Sequence, residues 1–113
     1  MLTFKQQNRI KRSSHFQRIF NCNEKLNSFG FVSYCSLSIQ DMQKFAFVAS
    51  RRVGNAVTRN RAKRRLRELV RCHQANLDQN KDFIFIAKSG ISKMSFSALK
   101  NDFKKLFVEE LVY

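Results

Sequence analysis

The sequence predicts an α+β domain in two layers, a sheet covered by helices, and three observations predict it. Apolar spacing switches along the 113-residue chain between the period of about 3.6 of a helix and the period of two of a strand. These switches come in the order helix, two or three strands, helix, strand, helix, with no internal repeat and no low-complexity segment. Twelve Phe with no Pro and no Trp supply core material that a disordered basic tail lacks. One domain, residues 1–113, can bury roughly two thirds of the surface that the unfolded chain exposes.

Residues 1–12 are basic and polar with isolated Leu2, Phe4 and Ile10, the pattern of an extended, flexible basic arm. Ser13 or Ser14 can cap a short helix, and Gln17, three positions after Ser14, completes a capping box. Phe16, Ile19 and Phe20 follow at i, i+3, i+4 and make one apolar face, whose commoner fate is simply to join the core. NCNEKLNS, residues 21–28, reads as a loop. In residues 29–39 the period becomes two, with Phe29, Phe31, Ser33, Cys35, Leu37 and Ile39 on the face that belongs against a helix. The other face, Gly30, Val32, Tyr34, Ser36 and Ser38, is small and polar around one large ring. That leaves room beside Tyr34 for a flat ligand such as a base, although an ordinary surface tyrosine is the more frequent meaning of such a pattern.

A turn at residues 40–43 precedes KFAFVAS, residues 44–50, which is apolar on both faces and so reads as a central strand. Arg51-Arg52-Val53 extends it or forms a brief further strand, and Gly54-Asn55 signals a turn. The next helix is expected to begin near Thr58 as its N-cap. Ala62, Leu66, Leu69, Val70 and His73 form its apolar stripe, leaving Asn60, Arg61, Arg64, Arg67 and Arg71 opposite, flanked by Lys63 and Arg65, as a continuous basic face. After a loop at 74–81 come a strand, FIFIAK at 83–88, and a link, SGISKM. A last helix spans about 95–112, with Phe96, Leu99, Phe103, Leu106, Phe107 and Leu111 on its core face.

Charge narrows the function. The 22 Lys+Arg against 8 Asp+Glu give a net charge of +14 and a pI near 10.5, which favours nucleic acid or an anionic membrane surface over a small acidic substrate. Residues 51–71 concentrate the excess: Arg51, Arg52, Arg59, Arg61, Lys63, Arg64, Arg65, Arg67 and Arg71, against Glu68 alone. Like charges repel along such a face unless phosphates bind it, and the dominance of Arg suits bidentate phosphate contacts and base stacking. A second cluster, Lys5, Arg9, Lys11, Arg12 and Arg18, lies near the N-terminus.

Cys22, Cys35 and Cys72 are widely spaced and odd in number, which suits a reducing compartment. With no apolar run of about 20 residues and no signal-type h-region, the expected location is the cytoplasm. No nucleophile–base motif, zinc-ligand spacing or P-loop is present, and Glu109-Glu110 are neighbours that cannot face one site together.

VGNAVTRNRAKRRLRE, residues 53–68, closely resembles the signature of the bacterial ribonuclease P protein subunit, an Arg-Asn-Arg core within Gly-x-Ala-Val…Arg-Asn-Arg-x-Lys-Arg. Arg9-Ile10 is similar to the family's early Arg-Leu, Phe16 and Phe20 to its Phe-x-x-x-Phe helix, and Phe31-Val32-Ser33-Tyr34 to its first strand. Arg51-Arg52 stand where the family usually has two lysines, and Ala46 and Val48 replace a usual Gly and Ser.

The resemblance implies a two-layer α/β sandwich of order αβββαβα with a left-handed βαβ crossover, as in the second domain of ribosomal protein S5. It implies one protein chain within a ribonucleoprotein, partnered by a catalytic RNA that hydrolytically removes the 5′ leader of precursor tRNA, with Mg2+ held largely by that RNA. Arg59, Asn60, Arg61, Lys63, Arg64, Arg65 and Arg67 would then contact the catalytic RNA. Phe16, Phe20 and Tyr34 would line a cleft for the leader, with Arg51 and Arg52 near its phosphates. A structural RNA-binding protein outside processing would account for the charge but not for the match at 53–68. A membrane or calmodulin-type helix would need aromatic anchors that this helix lacks, and an autonomous nuclease would need a convergent acid, base or metal set.

Overall fold

The period-two stretch and the apolar runs pair, with one further short strand, into one mixed sheet of four strands. The computed structural model describes residues 9–22, 24–38 and 43–107. Its elements are α1 (Ser13–Asn21), β1 (Lys25–Asn27), β2 (Phe31–Leu37), β3 (Phe45–Ala49), α2 (Ala56–Cys72), β4 (Lys81–Ala87) and α3 (Phe96–Phe107). This is the expected order αβββαβα. The basic arm before residue 9, the turn at 40–42 and the end of the last helix, with Leu111, lie outside the described residues.

β2 runs antiparallel to both β1 and β4, with Tyr34 opposite Ile84 in the second pair. β3 runs parallel to β4, Phe45 opposite Phe83 and Ala49 opposite Ala87, so α2 is the crossover that joins two parallel neighbours. Three expectations change here. The third strand is β1, inside the segment read as a loop, while Arg51-Arg52-Val53 is a turn. β2 and β4 are the strands flanked on both sides, whereas β3 is an edge strand. Its apolarity on both faces comes from cover above and below the sheet, not from strands on both sides. Part of its outer edge is taken by Arg9, which bridges Phe45 in parallel while the Ile10 N–H donates to the Phe45 carbonyl at 3.0 Å.

Alternation along each strand sorts the side chains onto two faces. On one, Phe31, Phe45, Phe83 and Phe85 meet the α2 stripe of Ala62, Leu66, Leu69 and Val70 and the α3 residues Leu99, Phe103 and Phe107. Phe85 is fully buried, with the Phe31, Phe103 and Phe107 rings 6.1–6.2 Å from its own. Truncating it to Ala would cost about 3–5 kcal/mol. His73 completes the stripe as predicted: it is buried, its Nδ1–H donates to the Leu69 carbonyl at 2.9 Å, and its ring stacks on Phe103. The opposite face carries a smaller cluster, Ala46 and Ile84 with Ile10 and Ile19, under α1.

Both helix starts differ from expectation. Arg12 takes the N-cap position of α1, in extended backbone with no side-chain cap, because the chain enters the helix directly from the β3 edge; Ser13 and Ser14 are already helical. α2 is capped by Asn55, whose extended backbone lets its side-chain oxygen accept from the Thr58 N–H at 2.9 Å. Thr58 is therefore the third residue of the helix. Gly54, just before, has φ +152°, and a Cβ there would stand 2.9 Å from the Thr58 side chain.

Candidate RNA interface

The core stripe of α2 fixes which of its cations face outward. Asn60, Arg61 and Arg64 are exposed, whereas Arg59, Lys63, Arg65 and Arg67 are half-buried, so the predicted continuous face divides into an outward centre and two different flanks. On one flank the Arg65 guanidinium donates to the carbonyls of Ile91 at 2.9 Å and Met94 at 2.5 Å, tying α2 to the 3-10 turn Ser89–Lys93 and the residue after it. Burial, and then the nearby Arg61, lower its pKa from the ordinary value. On the other flank Arg67 lies over the Phe47 ring, 5.7 Å from its centre. Burial lowers its pKa first, then repulsion from Arg9 and Arg64. Arg59 has a buried Nε with no hydrogen-bond partner. Arg71, expected on the basic face, pairs with Glu68 one turn back.

Arg67 helps to wall a groove of about 400 Å³ along the outer edge of β3. Arg9 and Lys11 face it across a floor that includes Phe16, Phe47 and Val48, and among the described residues no acid lines it. The sequence puts Arg9 and Lys11 in a charge cluster, and Arg9-Ile10 in a short motif, without locating them; the bridge to β3 is what brings them here. Phe16 belongs to this groove and also to a row of rings on the α1 face. Its ring stacks 6.3 Å from Phe20, and Phe20 meets Tyr34 edge-on at 5.0 Å. The three predicted cleft residues are thus brought together. Phe20 is 37% exposed, so one ring of the row stands open to a ligand. Lys25 Nζ lies 5.5 Å from the Tyr34 ring centre, a contact invisible while residues 21–28 read as a loop.

The rings are presented by α1, and α1 is pinned at two points. The His15 Nε2–H donates to Asp82 Oδ2 at 2.8 Å, with both residues buried. The second carboxylate oxygen, Oδ1, accepts from Ser38 Oγ at 2.7 Å and from the Lys44 N–H at 2.8 Å. Arg18 donates to Ser36 Oγ at 3.1 Å and to the Leu37 carbonyl. Asp82 falls between the loop and the strand read from the sequence, and nothing local marks it. Arg51 and Arg52 are exposed in the turn after β3, at the end of the sheet away from the Asp82 anchor.

Among the described residues no group of three or more His, Cys, Asp or Glu could hold a metal ion, and no helix is long and apolar enough to cross a membrane. The arrangement can bind an extended anion with rings attached.

A sequence model of the Ribonuclease P family matches residues 4–110. The ribonuclease P protein component of Bacillus pumilus is 34% identical over 110 residues, covering 96% of this chain and 92% of the relative. That of Syntrophomonas wolfei is 32% identical over 95 residues, covering 84% and 80%. Among solved structures, the RNase P protein of Staphylococcus aureus superposes with a TM-score of 0.76 at 29% identity, covering 88% of this chain and 91% of that one. The Thermotoga maritima RNase P protein shares the fold, with a TM-score of 0.75 at 23% identity over 88% and 94% of the two chains. With the match spanning nearly the whole chain, and the Arg-Asn-Arg helix and aromatic row both in place, this chain belongs to the ribonuclease P protein family.

Proposed function

We propose that, as a protein component of ribonuclease P, this chain serves two RNA segments at once. The outward centre of α2, Asn60, Arg61 and Arg64 with Lys63, docks the catalytic RNA; Arg59, Arg65 and Arg67 frame that surface. The row Phe16, Phe20 and Tyr34 stacks bases of the single-stranded 5′ leader of precursor tRNA, while Arg51, Arg52 and Lys25 offer charge to its phosphates. One observation carries the reading: an open aromatic row, anchored through a buried carboxylate, adjoins a groove lined by Arg9, Lys11 and Arg67 whose cations reach round to the basic helix.

Hydrolysis in this reading belongs to the RNA subunit and to Mg2+ bound there. The protein's residues bind and orient: guanidiniums neutralise phosphates, and rings hold leader bases splayed from one another. Reconstitution tests this. RNA-free protein should leave precursor tRNA intact, and adding it to the catalytic RNA should restore single-site cleavage at low Mg2+. Robust cleavage by the protein after exhaustive removal of RNA would overturn the assignment.

A further inference from the structure

On the side of α2 away from the β3 edge lies a second groove, of about 540 Å³, to which the preceding reading gives no role. One wall is α2 itself, with Arg61, Arg64 and Glu68; the other is the link into α3, with Met94, Ser95 and Phe96. The groove exists because Arg65 spends its guanidinium on the Ile91 and Met94 carbonyls, which draws the link against the helix. Ser95 in turn caps α3, its Oγ accepting from the Ala98 N–H at 3.1 Å, so the second wall is fixed at both ends.

The lining mixes three chemistries. The floor is apolar and aromatic: the Met94 thioether and the Phe96 ring are only half-buried, and Lys100 Nζ stands 5.8 Å from the centre of that ring. The exposed guanidiniums of Arg61 and Arg64 supply donors. Glu68, the one acid of α2, supplies an acceptor, and its hydrogen bonds with Arg71 hold its carboxyl below the usual range, so it stays ionised. A lone phosphate would suit the guanidiniums, but it would be repelled by Glu68 and would gain nothing from the ring. An apolar side chain would leave the two guanidiniums unanswered. A nucleobase answers all three chemistries: its face stacks on Phe96 and Met94, an amino group donates to Glu68, and ring nitrogens or carbonyls accept from the arginines.

We propose that this groove receives a single unstacked nucleobase of the catalytic RNA, one that carries an exocyclic amino group and so is adenine, cytosine or guanine rather than uracil. The proposal rests on the docking of α2 to that RNA. It adds a base-reading contact to a surface otherwise built for phosphates. Phe96 supplies the stacking surface, Glu68 the selection for an amine, and Arg65 positions the wall.

The test uses the complex of the full chain with its catalytic RNA. Base-specific chemical probing of Watson–Crick edges should find one amine-bearing nucleotide protected by the wild-type protein and reactive again with Phe96→Leu and Glu68→Gln. Phe96→Leu keeps apolar volume in the floor while removing the ring, and should weaken assembly about 5- to 20-fold with an unchanged salt slope. Glu68→Gln should cost about threefold and reduce the preference for the amine-bearing base when that nucleotide is replaced by uridine. Wild-type protection and affinity in both variants, or a responsive nucleotide that proves to be uridine, would overturn the proposal. Lys63→Ala, on the docking face but outside this groove, combined with Arg64→Ala separates the two levels. If the pair leaves the salt slope unchanged, the docking of α2 itself is wrong; if it shallows the slope while Phe96→Leu has no effect, only the base contact is wrong.

Discussion

The α1 face and the α2 face of this small domain carry opposite mixtures. On α1 and the strands beneath it, three rings line up with a few cations around them, and the whole is pinned by a buried carboxylate. On α2 the cations crowd together, and the helix is held by an apolar stripe with no buried charge in it. A face meant for phosphates needs only a rigid helix that displays charge, because Coulomb attraction tolerates small errors of position. On the proposed reading, a face that stacks bases needs its rings set to within a fraction of an ångström, and directional hydrogen bonds to Asp82 and Leu37 hold α1 in place for that. The β3-edge groove is where the two designs meet, since Phe16 belongs to the first and Arg67 to the second.

The largest effect should come from breaking the anchor. Asp82→Ala strands His15, Ser38 and the Lys44 N–H, and should cost about 3 kcal/mol of stability in urea unfolding. In the fraction that folds, leader discrimination should fall while affinity for the catalytic RNA persists. Loss of both together would make the anchor a general prop with no special link to the rings. Next in size, Phe20→Ala or Tyr34→Ala should remove about 1–3 kcal/mol of binding per stacked base, read as weaker binding of leader-bearing RNA with mature tRNA unaffected. Arg64→Ala should then act on the other face, shallowing the log–log salt dependence of assembly by about 0.7–0.9 per lost phosphate contact. A steep slope retained in that variant would remove Arg64 from the docking surface.

The two faces were not equally legible in the sequence. The α2 stripe of Ala62, Leu66, Leu69 and Val70 could be read because burial repeats at helical spacing, and its cations are simply what remains. Phe16 and Phe20 gave a face without saying what it covered; only Tyr34, from a distant strand, turns it into a row. The His15–Asp82 contact spans 67 positions and follows no local period. β1 was missed because Lys25–Asn27 offers one apolar residue, too few for alternation to show. β3 was placed centrally because apolar residues on both faces report cover above and below a strand, and say nothing about neighbours in the sheet plane. Arg65 looked like one more RNA contact, since nothing in its spacing tells of two carbonyls 26 and 29 positions on.

The smallest effect concerns the thiols. Burial, then the bond that Cys35 Sγ donates to Glu24, push its pKa up to about 12, so almost no thiolate exists at pH 8. A maleimide should label exposed Cys72 readily and Cys35 slowly, without change in leader discrimination. Cys35 lies on the α2–α3 side of the sheet, so its fast labelling would show that this face of β2 opens more often than its packing allows.

The separation of the two faces is tested most directly by one ratio, the affinity of the reconstituted complex for precursor tRNA over that for mature tRNA, measured with Phe20→Ala and with Arg64→Ala. The predicted result is a ratio that falls toward one for Phe20→Ala and stays at the wild-type value for Arg64→Ala once assembly is complete. Equal loss of the ratio in both variants would contradict the account.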